Sequence, residues 1–248
     1  MAGHSKWNNI KHRKGAQDKK RASLFTKLGK EITIAAKEAG GDPNFNPRLR
    51  LAIEKAKAAN MTKDVLERAI KKGTGELAAD EIMEIRYEGY GPAGTAFIVD
   101  CLTDNKNRTA GEVRAAFTKK GGNLGTDGAV SWKFKRVGLI SIPVNGMDAD
   151  EFMMQALEAG AEDVREEDGM FDVITDYTEF QTVLENLTKA GFKYEEAELT
   201  MLPDNKVEIG DLETAKKVMI LFDALDDLDD VQNVYADFDI SDELLEQL

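Results

Sequence analysis

Apolar positions recur at helical spacing from Asp18 onward. Leu24, Phe25, Leu28, Ile32, Ala35 and Ala39 fall on one side at about 100° per residue, while Lys19, Lys20, Lys27, Lys30 and Lys37 project from the other. Asp18 is the expected N-cap and Gly40-Gly41 the stop. A second helix is predicted to open at Asn46-Pro47, with proline at its first position and Leu49, Ile53 and Ala56 turned inward. Thr62 caps a third, which carries Leu66, Ala69 and Ile70, places Lys71-Lys72 in its last turn and leaves Gly73 beyond it. The expectation is a small three-helix domain preceded by residues 1–17, MAGHSKWNNIKHRKGAQ, read as an arm.

After Gly75 the period changes from helical to alternating. Ile82–Tyr87 and Thr95–Leu102 read as strands joined by the turn Gly89–Gly94, followed by a helix at 108–119, a glycine loop and a strand at Ala129–Phe134. Next comes a series of strand Leu139–Pro143, helix Asp150–Glu158, strands Glu162–Arg165 and Phe171–Thr175 around Asp168-Gly169, helix Glu179–Ala190 and strand Glu196–Met201. That β-α-β-β-α-β order is the ferredoxin-like signature. A helix at Leu212–Ala224 and a strand at Val231–Phe238 remain. The expected fold is therefore α+β and multidomain: a three-helix domain with a basic arm (1–75), and two ferredoxin-like α+β domains, one inserted in the other. The discontinuous domain takes 80–135 plus 205–240, the inserted one 136–204, and 241–248 form a C-terminal tail. A length of 248 residues suits more than one domain.

Charge changes this picture more than composition does. The whole chain carries a net −13, but residues 1–72 carry +11, residues 73–147 are neutral and residues 148–248 carry −24. Fields are felt locally, over roughly 10 Å in moderate salt, so one end can face phosphate while the other repels it. Lys6, Trp7, Lys11, His12, Arg13, Lys14, Lys19, Lys20 and Arg21 place seven cations around an indole, and Lys27 and Lys30 continue the basic side of the first helix. Cations attract phosphates and an indole stacks on an unpaired base, so these eleven residues form the expected nucleic-acid-binding set. Lys133, Lys135 and Arg136, interleaved with Trp132 and Phe134, could extend it, although strand alternation explains those aromatics as well.

Little else carries chemistry. His4 and His12 lie in the arm, and with the single Cys101 they do not make the four-ligand set of a structural zinc site. No metal site, cofactor or catalytic residue is expected, and an enzyme is not the reading. The loop Gly121–Gly128 lacks the Lys-Ser/Thr pair of a phosphate loop and opens a strand, so it reads as a helix-to-strand turn. Asp226, Asp227, Asp229 and Asp230 lack the glycine and final glutamate of a calcium loop and read as a solvated turn. One cysteine cannot form an internal disulfide, no signal peptide is evident, and no apolar run approaches the roughly 20 residues of a membrane span. A cytoplasmic location without membrane contact is the expectation.

Several segments carry a family likeness: Ala2-Gly3-His4-Ser5-Lys6-Trp7, Ile10–Lys14, Arg50–Lys57, Tyr87-Glu88-Gly89-Tyr90-Gly91-Pro92, Thr103-Asp104-Asn105 with Asn107-Arg108-Thr109, and Gly121–Gly125. Together they resemble the YebC family, which includes the mitochondrial translational activator of cytochrome c oxidase. The resemblance implies a three-domain fold without enzymatic activity. It implies either a DNA-binding transcriptional regulator or a ribosome-associated factor that touches ribosomal RNA and assists translation. Lysine outnumbers the base-reading residues along the basic stripe, which suits phosphate contact and RNA better than a specific DNA operator. The alternative is an interaction module whose acidic domains bind a basic protein partner.

Overall fold

The computed structural model describes residues 17–167 and 169–248, with side chains from Ala22 onward. Asp168, placed by the sequence in the turn between two strands, lies outside the described residues. The described residues form two compact units, one of residues 133–205 and one that joins 17–132 to 206–248. Among the described residues no helix is long and apolar enough to cross a membrane.

The larger unit opens with three helices, α1 (Gln17–Ala39), α2 (Pro47–Ala58) and α3 (Lys63–Thr74). Their core is Leu28, Ile32, Ala35 and Ala36 against Leu49, Ala52, Ile53 and Ala56 and against Leu66 and Ala69, the apolar stripes expected from the spacing. Asn46 is buried and ties two helices together. Its Oδ1 accepts from the Leu49 N–H (3.0 Å) while Nδ2 donates to the carbonyls of Ala35 (2.7 Å) and Gly40 (2.8 Å), satisfying groups that helix ends otherwise leave orphaned. Gly73 lies inside α3 rather than beyond it, and Gly75, at φ 83°, is the left-handed cap. The reason is a close helix crossing: a Cβ on Gly73 would sit 2.3 Å from the Thr33 carbonyl oxygen and 2.7 Å from Ala36 Cβ. Gly73→Ala is therefore expected to cost about 2 kcal/mol by forcing backbone apart, read as a lower urea midpoint at unchanged slope.

The same unit continues with β1 (Met83–Tyr90), β2 (Ala96–Thr103), α4 (Lys106–Lys119) and the short β3 (Asn123–Leu124). After the insertion it resumes with β8 (Val207–Ile209), α7 (Leu212–Asp226), β9 (Val231–Ala236), β10 (Phe238–Ile240) and α8 (Asp242–Leu245). β3, β1, β2 and β9 form one antiparallel sheet in that order, and β8 pairs in parallel with β10. Phe97, Val99 and Cys101 of β2 meet Val113 and Phe117 of α4 and Val218, Leu221 and Phe222 of α7 in the main core. Residues 241–248, expected as a tail, contain α8, whose Leu245 is buried in that core.

The strand expected at Ala129–Phe134 is not there. Residues 131–133 form a 3-10 turn, and Phe134 starts β4 (Phe134–Pro143) of the inserted unit. Glu88 supplies the physical cause. Its buried carboxylate accepts from the N–H groups of Gly128 (3.0 Å), Val130 (2.7 Å) and Ser131 (2.8 Å), taking the donors a strand ladder would need.

The inserted unit holds β4, α5 (Ala149–Glu158), β5 (Asp163–Glu167), β6 (Met170–Asp176), α6 (Phe180–Lys189) and β7 (Glu196–Pro203). Its sheet order β5-β6-β4-β7, antiparallel throughout, is the ferredoxin-like arrangement. Phe152 of α5 stacks on Phe171 of β6 with centroids 4.3 Å apart. Phe134 and Pro203 are register partners, so the unit's two ends leave it side by side. The two α+β sheets share a layered build but not a strand order.

Candidate nucleic-acid interface

Lys6, Trp7, Lys11, His12, Arg13 and Lys14 lie outside the described residues. Lys19, Lys20 and Arg21 fall on the first turns of α1, where the backbone alone is described. Lys27 and Lys30, the last of the expected set, face inward to the chain's own acids. Lys27 Nζ donates to the Asp226 carbonyl (2.5 Å) and lies 3.7 Å from its carboxylate. Lys30 Nζ donates to Asp230 Oδ1 (2.6 Å) and to the Asp229 carbonyl (3.1 Å), and Ser23 Oγ donates to Asp229 Oδ1 (3.0 Å). Their charge serves this docking of α1.

The acidic run after α7 is correspondingly not a solvated turn at Asp230, which is 3 % exposed. Besides Lys30, its carboxylate takes Arg108 Nη2 at 2.8 Å, the Thr109 hydroxyl at 2.7 Å and the Thr103 hydroxyl at 3.1 Å. Burial alone would raise its pKa, but the hydrogen bonds from Lys30, Arg108 and Thr109 outweigh that and hold it down to about 2. The motif Thr103-Asp104-Asn105 with Asn107-Arg108-Thr109 is thus a receptor for an internal carboxylate, and Asn105 also caps α4 through the Arg108 N–H. Beside it, burial pushes the Cys101 thiol up to about 12, which leaves it protonated at neutral pH and a poor nucleophile.

An open groove of about 490 Å³ runs between α1 and α3. Phe25, Thr26 and Lys30 line one wall, Val65, Arg68 and Lys72 the other, and Asp80 and Asp104 also reach it. Arg68, Lys71 and Lys72 are exposed, and no carboxylate among the described residues pairs with them. They share one face of α3. Sequence reasoning passed over them because lysines at a helix C-terminus already have a role in complementing the helix dipole. The spacing Arg68, Lys71, Lys72 was the available signal.

The 132–136 segment divides. Phe134 is buried, Lys135 pairs with Glu162 (2.7 Å) and the Arg136 guanidinium lies over the Tyr177 ring at 3.9 Å. Trp132 faces outward, 70 % exposed. The glycine loop is a tight connection from α4 to β3: a Cβ on Gly122 would sit 2.7 Å from the Tyr90 carbonyl oxygen.

Comparison with known proteins agrees with this architecture. Residues 5–76 match the TACO1/YebC protein N-terminal domain, and residues 82–238 match the TACO1/YebC second and third domain. A protein of Fusobacterium nucleatum named "Probable transcriptional regulatory protein" is 75 % identical over 248 residues, covering 100 % of both chains. The transcriptional regulatory protein PmpR of Pseudomonas aeruginosa is 56 % identical over 249 residues, again across 100 % of both. A crystal structure of a conserved hypothetical protein from Aquifex aeolicus, 48 % identical, superposes with a TM-score of 0.82 over 94 % of this chain and 96 % of that one. On the strength of both domain matches and full-length identity, the chain belongs to the TACO1/YebC family.

Proposed function

We propose that this protein is a non-enzymatic regulator of gene expression that grips nucleic acid through its cationic N-terminal region. The observation that supports this most is the exposed group Arg68, Lys71 and Lys72 on α3, which has no carboxylate partner among the described residues and of which Arg68 and Lys72 line the groove. Relatives named transcriptional regulatory proteins agree with the general role. Within it, the chemistry favours RNA: lysines hold phosphates without reading base edges, which suits a structured RNA such as ribosomal RNA over a DNA operator. The test is a salt titration of binding to an RNA hairpin and to duplex DNA. A log–log slope of about −4 or steeper, with tighter binding to RNA, is the expected result. A slope shallower than about −1 on both overturns the reading.

A second reading has one specific observation behind it. On α5, Met153, Met154 and Leu157 face solvent, flanked by Asp150, Glu151 and Glu158. An apolar stripe with an acidic rim suits a basic amphipathic segment of a partner protein. A flat salt response to nucleic acid would shift the function to this face.

A further inference from the structure

An indole gains more from burial than almost any side chain, yet Trp132 is 70 % exposed. It is also held in place. Trp132 Nε1 donates to the Ala129 carbonyl at 3.1 Å, and the Tyr90 hydroxyl, from the end of β1, donates to the same oxygen at 3.1 Å. Tyr90 is itself 37 % exposed. The polar edges of both rings are therefore tied to one point while part of each ring is left to solvent.

The loop that carries this carbonyl is clamped from below. Glu88 takes the N–H groups of Gly128, Val130 and Ser131, and Val130 is fully buried. Burial pulls the Glu88 pKa upward, but those three N–H donors prevail and set it below the ordinary carboxylate value, so the clamp stays charged at neutral pH. Lys119 and Lys120, exposed at the end of α4, enter the same end of the sheet, since Gly122 abuts the Tyr90 carbonyl and Asn123 pairs with Tyr90. No carboxylate among the described residues pairs with either lysine. From Lys119 to Trp132 the only acid is Asp127.

We propose that Trp132 and Tyr90 form a stacking platform for an unpaired base of a single-stranded nucleic acid, with Lys119 and Lys120 beside it for the flanking phosphates. Fixed aromatic faces next to unpaired cations are the two elements that single-strand binding surfaces combine, and rings already held lose little entropy on binding. The platform rests on the nucleic-acid reading and adds a contact remote in sequence from the basic arm.

The chain has two tryptophans, so Trp7→Phe leaves Trp132 as the sole indole reporter. Titration with an oligouridylate of about 12 nucleotides should quench its emission in step with binding, measured separately by anisotropy of a labelled copy. Duplex DNA of similar length should bind without quenching. In the otherwise native chain, Trp132→Ala should weaken oligouridylate binding about tenfold, Trp132→Phe should restore most of it, and neither should shift the thermal midpoint. Oligouridylate binding with flat Trp132 emission and an unaffected Trp132→Ala variant overturns the platform and leaves the nucleic-acid reading standing. Failure of the native chain to bind either probe overturns both.

Discussion

Changing Lys11, Arg13, Lys14, Lys19 and Lys20 together to glutamate is expected to weaken nucleic-acid binding by about 3.5 to 4.5 powers of ten in roughly 0.1 M salt. Each phosphate contact contributes about 0.7 to 0.9 logarithmic units at that ionic strength, and five contacts are removed. The salt slope should flatten by a matching amount, about 3.5 to 4.5. Folding should be spared. Lys19 and Lys20 lie near the start of α1, where acids suit the helix dipole better than cations do. The paired control is Lys27→Gln with Lys30→Gln. Those lysines already hold Asp226 and Asp230, so that variant should lose stability while keeping the salt slope. If both variants changed the slope equally, the division of the α1 cations between nucleic-acid contact and internal docking would be wrong.

That division also shows what could be read in the chain and what could not. The three helices and the inserted β-α-β-β-α-β unit were legible because their signals are local. Asn46-Pro47 opens α2, and the apolar spacing around Leu49 and Ile53 selects its buried face. Asp148 caps α5 and Phe152 and Ala156 sit one turn apart on its inner side. Asp230 failed for the opposite reason. Its partners Lys30, Thr103, Arg108 and Thr109 are 121 to 200 residues away, and no local pattern announces an acid that will be buried by such distant donors. Ala129–Phe134 failed likewise: its alternation was real, but Glu88, some forty residues earlier, captured the N–H groups. At the candidate interface the cationic bias of residues 1–72 was plain. Which of those cations the fold leaves unpaired depended on tertiary contacts, and this separated Arg68 and Lys72 from Lys27 and Lys30.

Asp230→Asn is expected to cost about 3 to 5 kcal/mol of folding stability at neutral pH. The loss exceeds that of one ordinary ion pair because Asp230 is almost wholly buried and collects an ammonium, a guanidinium and two hydroxyls. An amide keeps one acceptor oxygen and turns an N–H₂ group toward donors, leaving the Lys30 charge without compensation. The pH dependence follows from the depressed native pKa. A carboxyl held at about 2 when folded, against 3.8 ordinarily, stabilises the fold fully above the unfolded value and loses that contribution as pH falls through about 2. The shift corresponds to about 2 kcal/mol. Urea melts of the native and Asp230→Asn chains should therefore differ most near neutrality and converge by roughly that amount between about pH 4 and pH 2. Salt supplies an independent check. A nearly buried pair is little screened, so the difference should survive about 0.5 M salt, whereas nucleic-acid binding by the arm cations should not. A gap below about 1 kcal/mol, or one insensitive to acid, would mean that α1 is held by its apolar stripe alone. In that case the acidic turn would be free to engage a basic partner, and the cationic end of α1 would no longer be fixed by the chain's own acids.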